Sequence, residues 1–576
     1  MAQKSKLIFK IIAFGIILFF TRCASQMPPD GGEVDKIPPK IIELFPENGT
    51  TNYKDNFFEI TFSEYVDKSS VKEAIFISPF LQKKVEYDWS GRTLTVYFND
   101  TLKQNTTYTI TIGTDVKDIN NANKMAEPFS FAFSTGDKID KGKISGKIYN
   151  ADPDGVMIFA YRNNEKEIDP AQQKPDYLSQ VGKNGKYTLL GLGDGSYSVF
   201  AIRDKLRDLK YQKNEDEFGV QYKRIALDDK VDEINNVDFF LTIEDTIAPK
   251  ITNVLMKDRN HLIVEFGEAV DSTKIFGSNF FALDTIKNKK VQIKYFYKGD
   301  AKRNQFYLAF TDTLEEREDW VLVSNGIPDL KDNLSAVEKT PFSVKNDRDT
   351  FAVKLLRTAG DLPGDKVDYE DPKIIMAFNG AIDSAIIKNK LSIQDAKGNK
   401  LDFWGSSVKS PSDIPSGEVN RLDDALFRIH LSSTLKQSAD YTVKLDLKNY
   451  NDVFGNKVDS LFQSKITTSN ELDFSGASGS VADNSDSLSA VVVLQSTTQN
   501  KIIYKQKVDT KKNFDFTKII PGKYLLWGFK DRNKNGEYDH GTIKPHSFAE
   551  EFNFFPDTLN LRARWPVGNV NIDLRK

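Results

Sequence analysis

The chain has 576 residues with 41 Phe, 21 Tyr and 5 Trp, which is too long for one hydrophobic core and too aromatic for a disordered chain. A formal charge of −3 and a pI near 6.0 exclude a dedicated nucleic-acid binder. One cysteine and four histidines exclude an internal disulfide framework and a Cys-based zinc site.

Lys4, Lys6 and Lys10 precede an apolar run over residues 11–20 that only Gly15 interrupts. Ten helical residues rise about 15 Å, half of a ~30 Å hydrocarbon core. The run therefore predicts a signal peptide over residues 1–22, not a membrane span. It ends at Thr21-Arg22-Cys23-Ala24, so the single cysteine stands where a bacterial lipobox carries its lipidated Cys, although Arg22 replaces the usual small residue. The alternative is an ordinary secreted protein with an incidental Cys23. Lipidation at Cys23 is the preferred reading, because a lone free thiol is unusual in an exported chain, and it makes the membrane a partner through acyl chains. Cleavage leaves 75 basic and 82 acidic side chains, a net −7. Ala24 and Ser25 are not the aspartate that retains lipoproteins at the inner membrane, so the outer membrane is the expected location, with the leaflet left open. Residues 23–37, rich in Pro, Gly and charge, read as a flexible tether.

Beyond the tether the chain repeats itself. Phe62-Ser-Glu-Tyr-Val66-Asp67, Phe266-Gly-Glu-Ala-Val270-Asp271 and Phe378-Asn-Gly-Ala-Ile382-Asp383 all fit F-x-x-x-[VI]-D, each after an alternating run: FFEITF, HLIVEF, KIIMAF. Downstream, Thr101, Thr313 and Thr434 each precede an aromatic by seven residues: Tyr108, Trp320 and Tyr441. An acid followed by Asn comes next: Asp118 and Asn123, Asp329 and Asn333, Asp452 and Asn456. A second unit occurs twice. It reads ISGKIYN from Ile144, NGKYTLLGL from Asn184 and GSYSVFAIRD from Gly195, then FSGASGSV from Phe474, NFDFTKI from Asn513 and GKYLLWGFKD from Gly522. Each closes on a short strand-like run, VDFFL from Val237 and VNIDL from Val570. Short alternating strands between Gly/Asn/Asp turns predict an all-β chain of tandem antiparallel β-sandwiches. A tyrosine corner is expected at Tyr108 and Tyr441, with a different arrangement at Trp320.

The first repeat, with Pro38-Pro39, Pro46-Glu-Asn-Gly49, Phe62-Ser-Glu-Tyr-Val-Asp67, Tyr108, Asp118 and Phe133-Ser-Thr135, resembles the bacterial Ig-like domain named after the SbsA surface-layer protein. The other two copies are degenerate relatives of it. The second unit resembles the prealbumin-like, carboxypeptidase-regulatory-like (CnaB-related) sandwich. Together these resemblances imply three Ig-like domains over residues 38–137, 245–346 and 350–469, and two prealbumin-like domains over 141–243 and 472–576. They imply fold and not activity. A Lys–Asn isopeptide trio of the kind CnaB-related domains carry is not recognisable here.

Asp531-Arg-Asn533-Lys-Asn535-Gly536-Glu-Tyr-Asp539 has oxygen side chains at positions 1, 3, 5 and 9 and Gly at 6, as calcium loops do. Thr542 stands where the bidentate Glu would be. Two readings stand: a calcium site at Asp531, Asn533, Asn535 and Asp539, or a loop held by Asx turns alone. The corresponding stretch of the earlier unit, from Asp204 to Tyr211, has lost two of the four oxygens. Asp-Ser/Thr-aliphatic triplets resemble an O-glycosylation sequon of Gram-negative envelopes, with acceptors Thr101, Thr246, Thr285, Thr313, Ser460, Ser487 and Thr558. Strand starts after turns share this pattern. No nucleophile elbow, P-loop, dinucleotide motif or paired zinc histidines occur in the sequence. The expectation is a non-catalytic envelope lipoprotein that acts as a scaffold or binding protein, without cofactor beyond calcium. The partner class, protein or glycan, is left open, as is the oligomeric state. A glycan-binding lipoprotein is the rival, with exposed aromatics among Trp89, Trp404, Trp527 and Trp565 as its signature. A hydrolase built on two distant carboxylates comes third.

Overall fold

The computed structural model describes residues 34–575, apart from 82, 164–167, 311, 313, 346, 350–351, 403–417, 485–488 and 499–501. Cys23 and the segment before it lie outside the described residues. The chain divides into two compact units, residues 1–210 with 224–241 and residues 211–223 with 242–576. No helix among the described residues is long and apolar enough to cross a membrane.

In the first unit, one sheet runs in the order Ile41–Phe45, Phe57–Phe62, Thr93–Tyr97, Glu86–Ser90, and faces a second made of Ile75–Ser78, Thr107–Ile112 and Phe129–Ser134. Alternation explains the first sheet: FFEITF turns Phe58, Ile60 and Phe62 inward, where they are buried among Leu94, Val96, Ile110 and Phe131. Thr107–Ile112 is instead buried along its whole length. A second sandwich follows, with sheets Lys186–Leu192, Gly142–Tyr149, Glu233–Ile234 and Tyr177–Gln180, Met157–Arg162, Gly195–Arg203, around Ile144, Ile158, Tyr197 and Val199.

The second unit holds three further cores. The first is enclosed by the sheet Ile251–Asp258, His261–Phe266, Gln305–Ala309, Tyr295–Tyr297 and the sheet Lys289–Gln292, Phe280–Asp284, Trp320–Ser324, Glu338–Phe342. The next lies between Leu355–Gly360, Lys373–Phe378, Leu426–His430, Glu418–Asp423 and Leu391–Asp395, Asp440–Leu447, Ser460–Thr467. The last combines Asn513–Ile519, Ser475–Ala482, Val567–Asp573 with Ile503–Lys507, Ala490–Ser496, Gly522–Lys530, Phe552–Phe554.

Two features depart from a purely antiparallel reading. The closing strands of the second and fifth sandwiches pair parallel to their opening strands: Phe239–Phe240 to Gly142–Tyr149, and Val567–Asp573 to Ser475–Ala482. Two seven-residue helices also appear, Lys68–Ala74 and Ser384–Lys390.

The repeated motifs have physical explanations. The Asp of F-x-x-x-[VI]-D is a helix N-cap. Asp67 accepts from Ser69 N–H, Asp383 from Ala385 N–H, and Asp271 does the same for Thr273 at the 3-10 turn Ser272–Lys274. The aromatic seven residues past the Thr closes a corner. Tyr108 Oη accepts from Lys103 N–H at 2.9 Å, and Tyr441 Oη from Lys436 N–H at 2.9 Å. Trp320 spans the same five residues with reversed polarity, its Nε1–H donating to Glu315 O at 3.0 Å. The acid and Asn pair up as well: Asn123 Nδ2 donates to Asp118 at 2.7 Å, Asn333 to Asp329 at 2.8 Å and Asn456 to Asp452 at 3.3 Å.

Candidate functional site

A concave feature of the first unit lies where its two sandwiches meet at their sheet edges. Ile75–Ser78 is the outer strand of one sheet and Tyr177–Gln180 the outer strand of the other. Gln180 is buried and joins them, its Oε1 accepting from Thr114 N–H at 2.6 Å. Gly113 permits that approach: a Cβ there would lie 2.1 Å from Gln180 Oε1. Nearby, Thr109 Oγ1 donates to Leu190 O at 2.9 Å.

Beside this junction opens a cleft of about 480 Å³, within the usual range for small-ligand sites. Phe76, Phe80, Leu81 and Tyr87 line it from the Ig-like side, and Met157, Gln180 and Arg203 from the other. Its rim is charged. Asp115 accepts from Lys124 at 2.8 Å and pairs with Arg207 at 3.2 Å, while Arg207 also reaches Glu73 at 3.2 Å. Burial pushes the Asp115 carboxyl up, but Lys124 and Arg207 outweigh it and hold it below the usual range. Asp154, also on the lining, keeps a buried Oδ1 without a hydrogen bond. Lys72 sits over the Tyr87 ring and Lys174 over the Phe80 ring. A preformed pocket with aromatic walls and ionic edges can hold a ligand that is apolar on one face and polar on the other.

Sequence reasoning missed this cleft. Its residues come from two different sandwiches and form no linear pattern. Three acidic groups were also missed, because their members lie far apart in the chain. Asp35, Glu64 and Asp118 bring carboxylate oxygens within 4.8 Å of one another, as do the equivalent Asp245, Glu268 and Asp329. Burial, then the neighbouring acids, push Glu64 and Glu268 up. In the third copy of the F-x-x-x-[VI]-D motif Gly380 replaces that Glu, and Asp349 instead groups with buried Asp258 and His261.

The residues singled out in the sequence fare differently. Asp531, Asn533, Asn535 and Asp539 do converge on one loop, with Asn533 Nδ2 donating to Asp539 at 2.7 Å. Thr101, Thr246, Thr285 and Thr558 are exposed, whereas Ser460 is half-buried and donates to Val458 O. Several of the preceding aspartates act as turn caps: Asp245 accepts from Ile247 N–H, and Asp284 from Ile286 and Lys287 N–H. Thr313, Ser487, Trp404 and Cys23 lie outside the described residues. Trp527 is core, Trp89 stacks on Phe62 at 6.2 Å, and Trp565 is 72% exposed. His261 Nδ1 bonds Asp258 at 2.8 Å, and His430 Nε2 bonds Asp371 at 2.7 Å.

No curated protein matches the chain significantly. Among solved structures, the N-terminal part of the bacterial S-layer protein SbsC is similar at 14% identity and a TM-score of 0.16, over 39% of this chain and 45% of that one. The present chain thus spans less than half of that structure. BcpA (D312A), the major pilin subunit of Bacillus cereus, is similar at 9% identity and a TM-score of 0.14, over 75% of this chain and 99% of that one. A tetra-tandem repeat from the extending region of a large adhesion protein is similar at 11% identity and a TM-score of 0.14, over 79% and 97%. Residues 35–135, the sandwich that supplies the aromatic wall of the cleft, match the family model of the bacterial Ig-like domain.

Proposed function

We propose that this chain is a non-catalytic cell-envelope lipoprotein, held to the outer membrane through acylated Cys23, that binds a partner in the cleft between its first two sandwiches. The observation that carries the binding role is the cleft itself. It is preformed, because Gln180 fastens one sheet edge to Thr114 of the other sandwich, and it exposes aromatic faces beside unequal charges. The tether over residues 23–37 suits the anchoring role, since it spaces the first two sandwiches and their cleft from the bilayer. A photo-crosslinking residue placed at Lys83, on the rim, tests the reading in intact cells. A discrete adduct is expected from Lys83 and not from a control position such as Lys257. Equal labelling from both positions, or none from either, removes the binding role.

Glycan binding is the second reading, favoured by the half-exposed Phe80 and Tyr87 rings in a polar-rimmed cleft. A glycan array with purified protein separates the two: a hit abolished by Tyr87→Ala selects the glycan.

A further inference from the structure

We propose that the loop after strand Gly522–Lys530 is a calcium site whose central ligand is Asp531 Oδ1. Asp531 is only 1% exposed. Its Oδ2 accepts from the N–H of Gly536, five residues on, at 3.0 Å, which turns the carboxylate into the loop it begins. Its Oδ1 is buried and has no hydrogen bond. A carboxylate oxygen in that position requires either a donor or a cation.

The rest of the loop carries further oxygen side chains in its sequence. Asn533 Oδ1 accepts from Asn535 N–H at 3.0 Å, and Asn535 Oδ1 from Glu537 N–H at 2.7 Å, so the chain coils through successive Asx turns. Gly536 makes the reversal at φ +80°, a conformation that favours glycine. Asp539 is brought back across the loop to Asn533 Nδ2. The carboxylate missing at position 12 has a substitute in Glu550, which lies just before strand Phe552–Phe554. Glu550 is buried beside the loop, its Oε1 accepting from Arg532 N–H at 2.6 Å and its Oε2 from Asp539 N–H at 3.2 Å. Lys507 stands 3.8 Å from Asp531 Oδ2, the oxygen already bonded to Gly536. The donors are all oxygens, carboxylate and carboxamide, on this loop and the segment beside it. That set suits calcium, which takes 6–8 oxygen ligands at about 2.3–2.6 Å, better than the strict octahedron of magnesium.

The earlier prealbumin-like unit provides an internal control. Asp204 occupies the same place after its strand, but both of its oxygens are satisfied by the backbone: Oδ1 by Asp208 N–H at 3.3 Å and Oδ2 by Leu209 N–H at 2.7 Å. Leu209 takes the turn that glycine takes in the later copy, at φ +62°. One copy closes its loop with protein donors alone, while the other leaves an oxygen for an ion.

Terbium replaces calcium at such sites and emits when a nearby aromatic absorbs; Tyr538 lies within the loop. Titration of the full mature chain with terbium should give sensitised emission at one ion per chain, displaced by calcium at a concentration on the order of 10⁻⁴ M, typical of extracellular modules. Asp531→Asn should weaken it at least tenfold. Asn533→Ala, at an exposed position that does not threaten the fold, should weaken it several-fold, and Asp204→Asn should leave it unchanged. Absence of sensitised emission from the parent chain overturns the site. So does emission that survives both Asp531→Asn and Asn533→Ala within twofold, or that falls with Asp204→Asn.

Discussion

Asp67 and Asp383 show how one side chain can set a motif. Each closes an F-x-x-x-[VI]-D run and accepts a backbone N–H that would otherwise open its short helix without a partner. Replacing Asp383 by Ala should cost about 1 kcal/mol of stability, and Asp383→Asn, which keeps the accepting oxygen, should cost less. Urea midpoints of the two variants check the order. Asp423 behaves oppositely. It is 1% exposed, and burial raises its carboxyl to about 6, although Ala425 and Lys298 N–H groups bond to it. Between roughly pH 4 and 6 the folded chain therefore keeps a proton that the unfolded chain has released. The unfolded state then binds fewer protons, so this group makes stability fall as pH rises through that window, by up to about 3 kcal/mol, and adds nothing further above it. Asp423→Asn should remove the fall, seen as a smaller difference between chemical denaturation at pH 4 and pH 7 than in the parent chain.

At the level of elements, the corners and edges explain most of what is specific. The Tyr and Trp corners reach the same distance along the chain, but one accepts and the other donates. A Trp320→Tyr change would put a hydroxyl where an indole N–H meets the Glu315 carbonyl, in a core fitted to the larger ring. Tyr441→Phe should cost about 1–3 kcal/mol, because Lys436 N–H loses its part-buried partner. Thermal melts monitored in the near ultraviolet measure it. Gln180 is the corresponding element-level feature of the cleft. Gln180→Ala leaves Thr114 N–H unpaired at the junction and should cost about 1–3 kcal/mol. Hydrogen exchange at Thr114 should rise, while exchange in strand Phe57–Phe62 should stay as it was. In the second unit the junction between the first two sandwiches is sealed more fully. Tyr297, Tyr307 and Ala309 enter the core of the next sandwich, His261 meets Phe454 edge to face at 4.6 Å, and Phe296 N–H bonds Asp424.

For the whole molecule, two compact units and five cores among the described residues predict unfolding in more than one two-state event. Calorimetry should resolve more than one transition, and Asp423→Asn should move only transitions of the second unit. The proposed anchor makes a prediction of the same scale. Cys23→Ser should convert the exported chain from a membrane-associated to a soluble fraction, because acyl chains are the attachment being proposed. Unchanged fractionation with membranes refutes the anchor.

The sequence by itself determined the parts that depend on local chemistry. Period-two alternation, turn residues and the spacing of Thr to aromatic specify short strands, their inward faces and three related sandwiches, because each requirement is met within a few residues of chain. The calcium-like spacing from Asp531 to Asp539 was legible for the same reason. Tertiary structure decided what needs distant residues. It supplied Glu550 to the loop, paired the closing strands in parallel, grouped Asp258, His261 and Asp349, and set Phe80 and Tyr87 opposite Met157 across the cleft. None of these has a fixed interval in the chain. Each depends on which sheet edges meet, and that is settled by the packing of whole sandwiches rather than by any local preference.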